Sequence, residues 1–233
     1  MLSNMTYDTK ELWYPKFKEL QAALKKPKDI SEIKTMLLYL HSQLHSRDVY
    51  DLSEKSYYDE IISDVNKENF NICPTVKNMT VAWDLWHITR IEDLTTSILL
   101  CRNKQVFDDF QDSLKTSFTD TGNDMDDEQI FALGGELSLE NLLLYRKSVG
   151  TKTKEFIESL TLEELLRKFP ENDIRRIKSE KGVIPSTEWL MSYWGKKNVS
   201  GIITMPMTKH QIMHLNDCLD ITLKYNKRMK RSK

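Results

Sequence analysis

Glycine and proline are scarce in this sequence, with seven and six among 233 residues. Sheet-rich sandwiches and disordered chains use many turn-forming and flexible positions, so this scarcity argues against both classes. Leucine, lysine, glutamate and methionine are plentiful instead, and these residues favour helices. Because 39% of the chain is hydrophobic, it can bury a substantial core. We therefore expect an all-α protein.

The sequence also lacks a disulfide pattern, a strong net charge and a long apolar run. Its three cysteines are far apart and form no C-x-x-C pair, which argues against a disulfide framework and a zinc knuckle. The formal net charge is -1, so no general attraction to nucleic acid or acidic lipid is expected. No segment approaches the roughly 18 consecutive apolar residues of a membrane span. Because the N-terminal stretch also lacks a basic region followed by an apolar run, we expect a cytoplasmic protein with no membrane partner.

Hydrophobic periodicity predicts four long helices in this chain. They cover approximately residues 30–46, 79–101, 138–160 and 207–228. Shorter helices are expected at 9–25 and 54–67, and Thr161 with Glu164 has the spacing of a capping box. Four long helices are enough for a four-helix bundle. Since no strong linker divides the chain, we predict a single domain over residues 1–233 with its core at about 30–225.

The histidines are the main candidates for function. His210 and His214 are four positions apart in the last predicted helix, just after Pro206. Residues i and i+4 share a helix face, so both imidazoles can point to one place. A helical wheel directs this face, and the face around His87, towards the interior of the bundle. Two readings stay open: three core histidines hydrogen-bonded to backbone or carboxylates, or three imidazole ligands of a divalent metal.

Two segments of the chain resemble a known family. "TVAWDLWHITRIEDLT" at 80–95 and "TKHQIMHLNDCLDI" at 208–221 are similar to the two signature helices of the DinB-like family. This helical-bundle superfamily includes YfiT-type metal-dependent hydrolases and thiol-dependent S-transferases. The resemblance implies a DinB/YfiT-like four-helix bundle with additional short helices. It also implies a three-histidine metal site made by His87, His210 and His214.

The resemblance further implies a chemistry for this site. A divalent ion, zinc first with nickel, iron or manganese as alternatives, would activate water in a hydrolase or a low-molecular-weight thiol in an S-transferase, acting on a small-molecule substrate. The alternative is a non-catalytic metal-binding or stress-response bundle. Where the family often has Gly-Glu after the last motif, this chain has Asn216-Asp217. Asp217 is therefore a candidate partner of a ligand histidine or a general base, with a solvated helix charge as the alternative.

Three further features have simpler interpretations. His41 and His45 approach the end of their helix, so we expect surface or packing roles, with the mouth of the cavity as an alternative. The acidic loop 119–128 has its glycine at 122, out of register for an EF-hand, and is expected to be solvated. The last ten residues, 224–233, hold six Lys or Arg and suit a basic helix end better than a nucleic-acid contact. A homodimer stays open.

Overall fold

A computed structural model describes residues 5–75 and 79–231, and within these ranges the protein is all-α with no β-strand. The α-helices are α1 (Tyr14–Lys25), α2 (Ile30–Ser42), α3 (Tyr57–Ile62), α4 (Lys67–Phe70), α5 (Val81–Asp93), α6 (Gln111–Leu114), α7 (Asp127–Glu136), α8 (Leu139–Ser159), α9 (Glu171–Ser179), α10 (Trp189–Gly195), α11 (Val199–Thr204) and α12 (His210–Arg231). π-Helical turns lie at Thr9–Trp13, Leu94–Leu100 and Met205–Lys209. 3₁₀ turns lie at Arg47–Val49, Phe107–Asp109, Glu164–Leu166 and Pro185–Thr187. The predicted fold class is confirmed.

The four predicted long helices are α2, α5 with its π-helical extension, α8 and α12. Side-chain caps explain where they begin. Asp29 accepts a hydrogen bond from the backbone N–H of Ser31 at the start of α2, and Thr80 accepts one from Trp83 at the start of α5. Each cap satisfies a backbone donor that has no partner within the helix. Pro206 lies in the π-helical turn before α12, where its missing N–H costs little.

Two shorter predictions are only partly right. The helix expected over 54–67 is confined to α3, which ends with Ser63 as its C-cap, and Asn66 then caps α4 by accepting from the backbone of Glu68. The capping-box pattern at Thr161 starts only a 3₁₀ turn, since Arg167 already leaves the helical region with ψ 127°. Local caps therefore divide segments that periodicity alone would join.

Helix α5 forms the centre of the protein. All of its residues are buried, and it packs against both α8 and α12. The buried guanidinium of Arg146 in α8 links these elements by donating to Thr89, to the carbonyl of Leu44 and to Gln211. A buried arginine is tolerated only when such acceptors surround it. This contact set joins α8 to α5, α12 and the segment after α2.

The last helix and the apolar content of the helices bear on two of the sequence predictions. Helix α12 carries the basic segment as far as Arg231, while Ser232 and Lys233 lie outside the described residues. Across the described ranges, no helix combines the length and the apolar composition that crossing a membrane requires. The single-domain organisation stays a prediction.

Candidate metal centre

Three histidines from two helices meet beside the N-terminal half of α12. His87 comes from α5, and His210 and His214 from the first turns of α12. One ligand atom from each ring lies within 4.8 Å of the others, and the Nε2 atoms of His87 and His210 are 3.2 Å apart. The predicted side chains are therefore brought together, in an arrangement that could hold a metal ion.

His87 is fixed in one tautomer by the loop that follows α6. Its Nδ1 lies 2.6 Å from the backbone carbonyl of Thr121, and because a carbonyl can only accept, Nδ1 must donate. Its Nε2 is then unprotonated and free to act as a ligand. The indole ring of Trp83 stacks on the imidazole at 4.5 Å with an 11° interplanar angle, which fixes the plane of the ring.

The loop over residues 120–122 is held by side chains of α5. Trp86 donates to the carbonyl of Asp120 and Trp83 to that of Gly122, each at 3.0 Å, on either side of the Thr121 carbonyl. Gly122 has φ 74°, a left-handed conformation that favours glycine. The Asp120 side chain is buried and accepts from the backbone N–H of Gly122 at 2.7 Å. The expectation of a solvated loop is therefore wrong for this part, which positions His87.

His214 has a carboxylate partner that the sequence reasoning did not single out. Its Nδ1 lies 2.7 Å from Oδ1 of Asp84, whose side chain is only 1% exposed. Asp217 lies 3.9 Å from the same nitrogen with its side chain 62% exposed, beyond hydrogen-bond distance. Asp84 could have been found from its position three residues before His87, one turn away on the same face of α5. The role predicted for Asp217 stays a prediction.

Burial favours the neutral imidazole of His87 and of His210. It lowers the pKa of His87 to about 3, with a further lowering by nearby His214 that the Thr121 hydrogen bond opposes. Burial and the two neighbouring histidines hold the pKa of His210 well below its usual range. Burial raises the pKa of Asp84 to about 6, although His214 opposes this shift. Neutral imidazoles are the form that binds metals.

The donor set also fits a metal ion on geometric grounds. Nε2 of His210 faces Nε2 of His87 at 3.2 Å, close to the roughly 3.3 Å between two ligand nitrogens of one tetrahedral ion. His87 and His214 each donate from Nδ1 to an oxygen, which is the outer contact that metal-bound histidines commonly make. Three imidazoles suit zinc and similar borderline ions.

The comparison with known families agrees with this site. A sequence model of the DinB superfamily matches residues 54–218, more than half of the chain. The chain belongs to the DinB superfamily. The match covers α5 and the start of α12, and hence all three histidines of the candidate metal centre. The family resemblance noted in the sequence is confirmed. No curated protein shows a significant match to this sequence.

The second histidine pair lies elsewhere. His41 and His45 are both fully buried and contact the carboxylate of Glu92 on α5. The surface role considered for them is wrong, because the end of α2 and the turn that follows it lie against Glu92 of α5 and Gly150 of α8. The burial of His41 and His45 agrees with the packing role that was the other part of the prediction.

Proposed function

We propose that this DinB-superfamily protein is a metal-dependent enzyme whose divalent ion, zinc in the first instance, is held by His87, His210 and His214. The observation that carries the proposal is the hydrogen-bonding pattern of the rings. Thr121 and Asp84 accept from the Nδ1 atoms of His87 and His214, so the Nε2 atom of each ring is not used by these contacts. The third ring brings its Nε2 to 3.2 Å from that of His87.

The environment of the site supports an open rather than a closed centre. An ion with three imidazole ligands has a free position and lowers the pKa of a water or thiol that binds there. The His214 side chain is 16% exposed and His210 is also partly exposed, whereas His87 is buried. Solvent and small molecules can therefore approach from the α12 side.

The protein's own groups would perform the positioning. Thr121 and the stacked Trp83 fix the ring of His87, while Asp84 fixes the ring of His214 and provides negative charge next to it. Either of two reactions is compatible with this arrangement: hydrolysis of a small-molecule substrate, or transfer of such a substrate to a low-molecular-weight thiol. Asp217, exposed beside His214, is available as the general base.

The first test is the metal content of untagged protein, measured by elemental analysis in wild type and in His87→Ala/His214→Ala. We expect the double variant to lose one equivalent of zinc, nickel, iron or manganese. Lys209→Ala is the matched control, because this exposed lysine lies directly before His210 and outside the ligand set. An unchanged metal content in the double variant would refute the metal site.

Activity assays then separate the remaining possibilities. Zinc-loaded wild type is screened with hydrolysable esters and amides, and with electrophiles in the presence of low-molecular-weight thiols. Turnover that the double variant loses, while Lys209→Ala retains it, supports the enzyme. Metal binding without any turnover would favour the alternative, a non-catalytic metal-binding or stress-response bundle.

A further inference from the structure

A second cluster of metal-ligating side chains lies in the interior, away from the three-histidine centre. It consists of His41 at the end of α2, His45 in the turn that follows, and Glu92 on α5. All three side chains are fully buried. One ligand atom from each lies within 4.8 Å of the others. Two imidazoles and a carboxylate form a donor set that binds zinc or ferrous iron.

The distances within this cluster are close to those between ligands of one ion. Nε2 of His41 lies 2.8 Å from Glu92 Oε1, and Nε2 of His45 lies 3.0 Å from Oε2 and 3.2 Å from Oε1. In a tetrahedral site with bonds of 2.0–2.1 Å, ligand atoms are roughly 3.3 Å apart. Each printed histidine–glutamate distance would change by about half an ångström or less to reach this spacing.

Tyr50 holds one ring of the cluster and Gly150 makes room for the other, whose Nδ1 is buried without a hydrogen-bond partner. Nδ1 of His41 lies 2.6 Å from the hydroxyl of Tyr50. This hydroxyl oxygen can accept a hydrogen bond from Nδ1, which would leave Nε2 free for an ion. The ring of His45 lies against Gly150 of α8, where an added Cβ would come within 2.4 Å of Nδ1. Only glycine leaves room for the imidazole at this position.

We propose that His41, His45 and Glu92 form a second divalent metal site, distinct from the DinB-type centre. Glu92 follows His87 by five residues on α5, which corresponds to about 140° around the helix and about 7.5 Å along it. The two donor sets therefore use different faces of α5. The other ligands of the three-histidine centre come from α12, and those of the second cluster come from the end of α2 and the turn after it. The proposal does not depend on metal binding at the three-histidine centre.

The competing arrangement is a hydrogen-bonded cluster without an ion, in which both imidazoles donate from Nε2 to Glu92. The guanidinium of Arg146 favours it, since its positive charge acts on Glu92 and would repel a second cation. However, Arg146 donates to Thr89, Gln211 and the Leu44 carbonyl and makes no hydrogen bond to Glu92. The carboxylate thus has only the two histidines as direct partners among the described residues.

Zinc stoichiometry distinguishes the two arrangements. Because the cluster is enclosed, protein is unfolded with chelator, refolded with zinc chloride and freed of excess ion before elemental analysis. We expect two zinc ions in wild type, one in His87→Ala/His214→Ala, one in Glu92→Gln and none when all three changes are combined. Glu92→Gln keeps the size of the side chain and removes its charge.

Three other zinc stoichiometries would refute one or both of the metal sites. If Glu92→Gln retains the wild-type zinc content, the second site is refuted, whatever the triad binds. If wild type holds a single zinc that Glu92→Gln loses and His87→Ala/His214→Ala keeps, the second site stands and the three-histidine site fails. If refolded wild type holds no zinc, both proposals fail.

A milder variant covers the case in which Glu92→Gln does not fold. Tyr50→Phe removes only the hydroxyl next to His41, and we expect the second zinc to bind about 10- to 100-fold more weakly in competition with a chelator. Tyr39→Phe is the matched control, because this half-exposed hydroxyl contacts Tyr7 and not the cluster. Equal zinc affinity in Tyr50→Phe and wild type would overturn the proposal.

Discussion

Replacing Asp84 by asparagine should weaken metal binding without weakening the metal-free fold. The carboxylate accepts from Nδ1 of His214 through Oδ1, and the amide oxygen of asparagine can preserve that hydrogen bond. The negative charge is lost. Removing such a partner of a ligand histidine typically lowers metal affinity about 10- to 100-fold, or about 1.4–2.7 kcal/mol.

The stability of the metal-free protein should not fall in Asp84→Asn, in contrast to its metal affinity. Burial raises the pKa of Asp84 from 3.8 to about 6, which corresponds to about 3 kcal/mol of destabilisation while the group is ionised. Oδ2 is buried without a partner, so an amide NH₂ at that position would cost about 1–3 kcal/mol. The free energy of unfolding should therefore stay constant or rise by up to about 2 kcal/mol, equivalent to a Tm increase of up to about 8 °C.

The size of the stability difference between Asp84→Asn and wild type depends on pH. Above pH 6 the buried carboxylate is ionised in wild type, and the advantage of asparagine is complete. As the pH falls towards 4, folded Asp84 takes up its proton before the unfolded chain does, and the advantage disappears. Urea unfolding of metal-free protein at pH 7.5 and pH 4.5 measures this difference.

Asp217→Asn is the matched control for Asp84→Asn. Its carboxylate lies next to the same histidine but is exposed and 3.9 Å away, so both metal affinity and stability should stay close to wild type. The reasoning would be refuted if Asp84→Asn bound zinc as tightly as wild type while losing stability. The reasoning would also fail if Asp217→Asn weakened zinc binding as much as Asp84→Asn does.

Two further predictions concern the interior. Gly150→Ala should destabilise the protein by about 1–3 kcal/mol, because its Cβ would overlap the ring of His45. Gly135→Ala, in α7 with nothing within 4 Å of its Cβ, should gain up to about 1 kcal/mol, and thermal unfolding compares the two. Metal-free protein should also lose roughly 2 kcal/mol per buried histidine between pH 7 and pH 5, since burial lowers the pKa of His87 and His45 to about 3 and the unfolded chain takes up protons first. A flat pH dependence of urea unfolding would contradict this.

The sequence by itself determined the fold class and the main helices of this protein. Scarce glycine and proline, apolar periodicity and capping residues such as Asp29 and Thr80 act within a few positions of one another, so they can be read along the chain. The same holds for the i, i+4 relation of His210 and His214. The helical wheel placed His87 on an inward face, and the family resemblance then assigned it to the same site as His210, which lies 123 positions later.

Only the tertiary structure decided which polar groups meet. Asp84 and Asp217 are both near a histidine in sequence, but packing of α5 against α12 brings Asp84 to His214 and leaves Asp217 in solvent. In the same way, the inward turn after α2 buries His45 against Glu92, 47 positions away. Contacts of this kind depend on the burial and register of whole helices, whereas the local pattern only places Asp84 on the same face of α5 as His87.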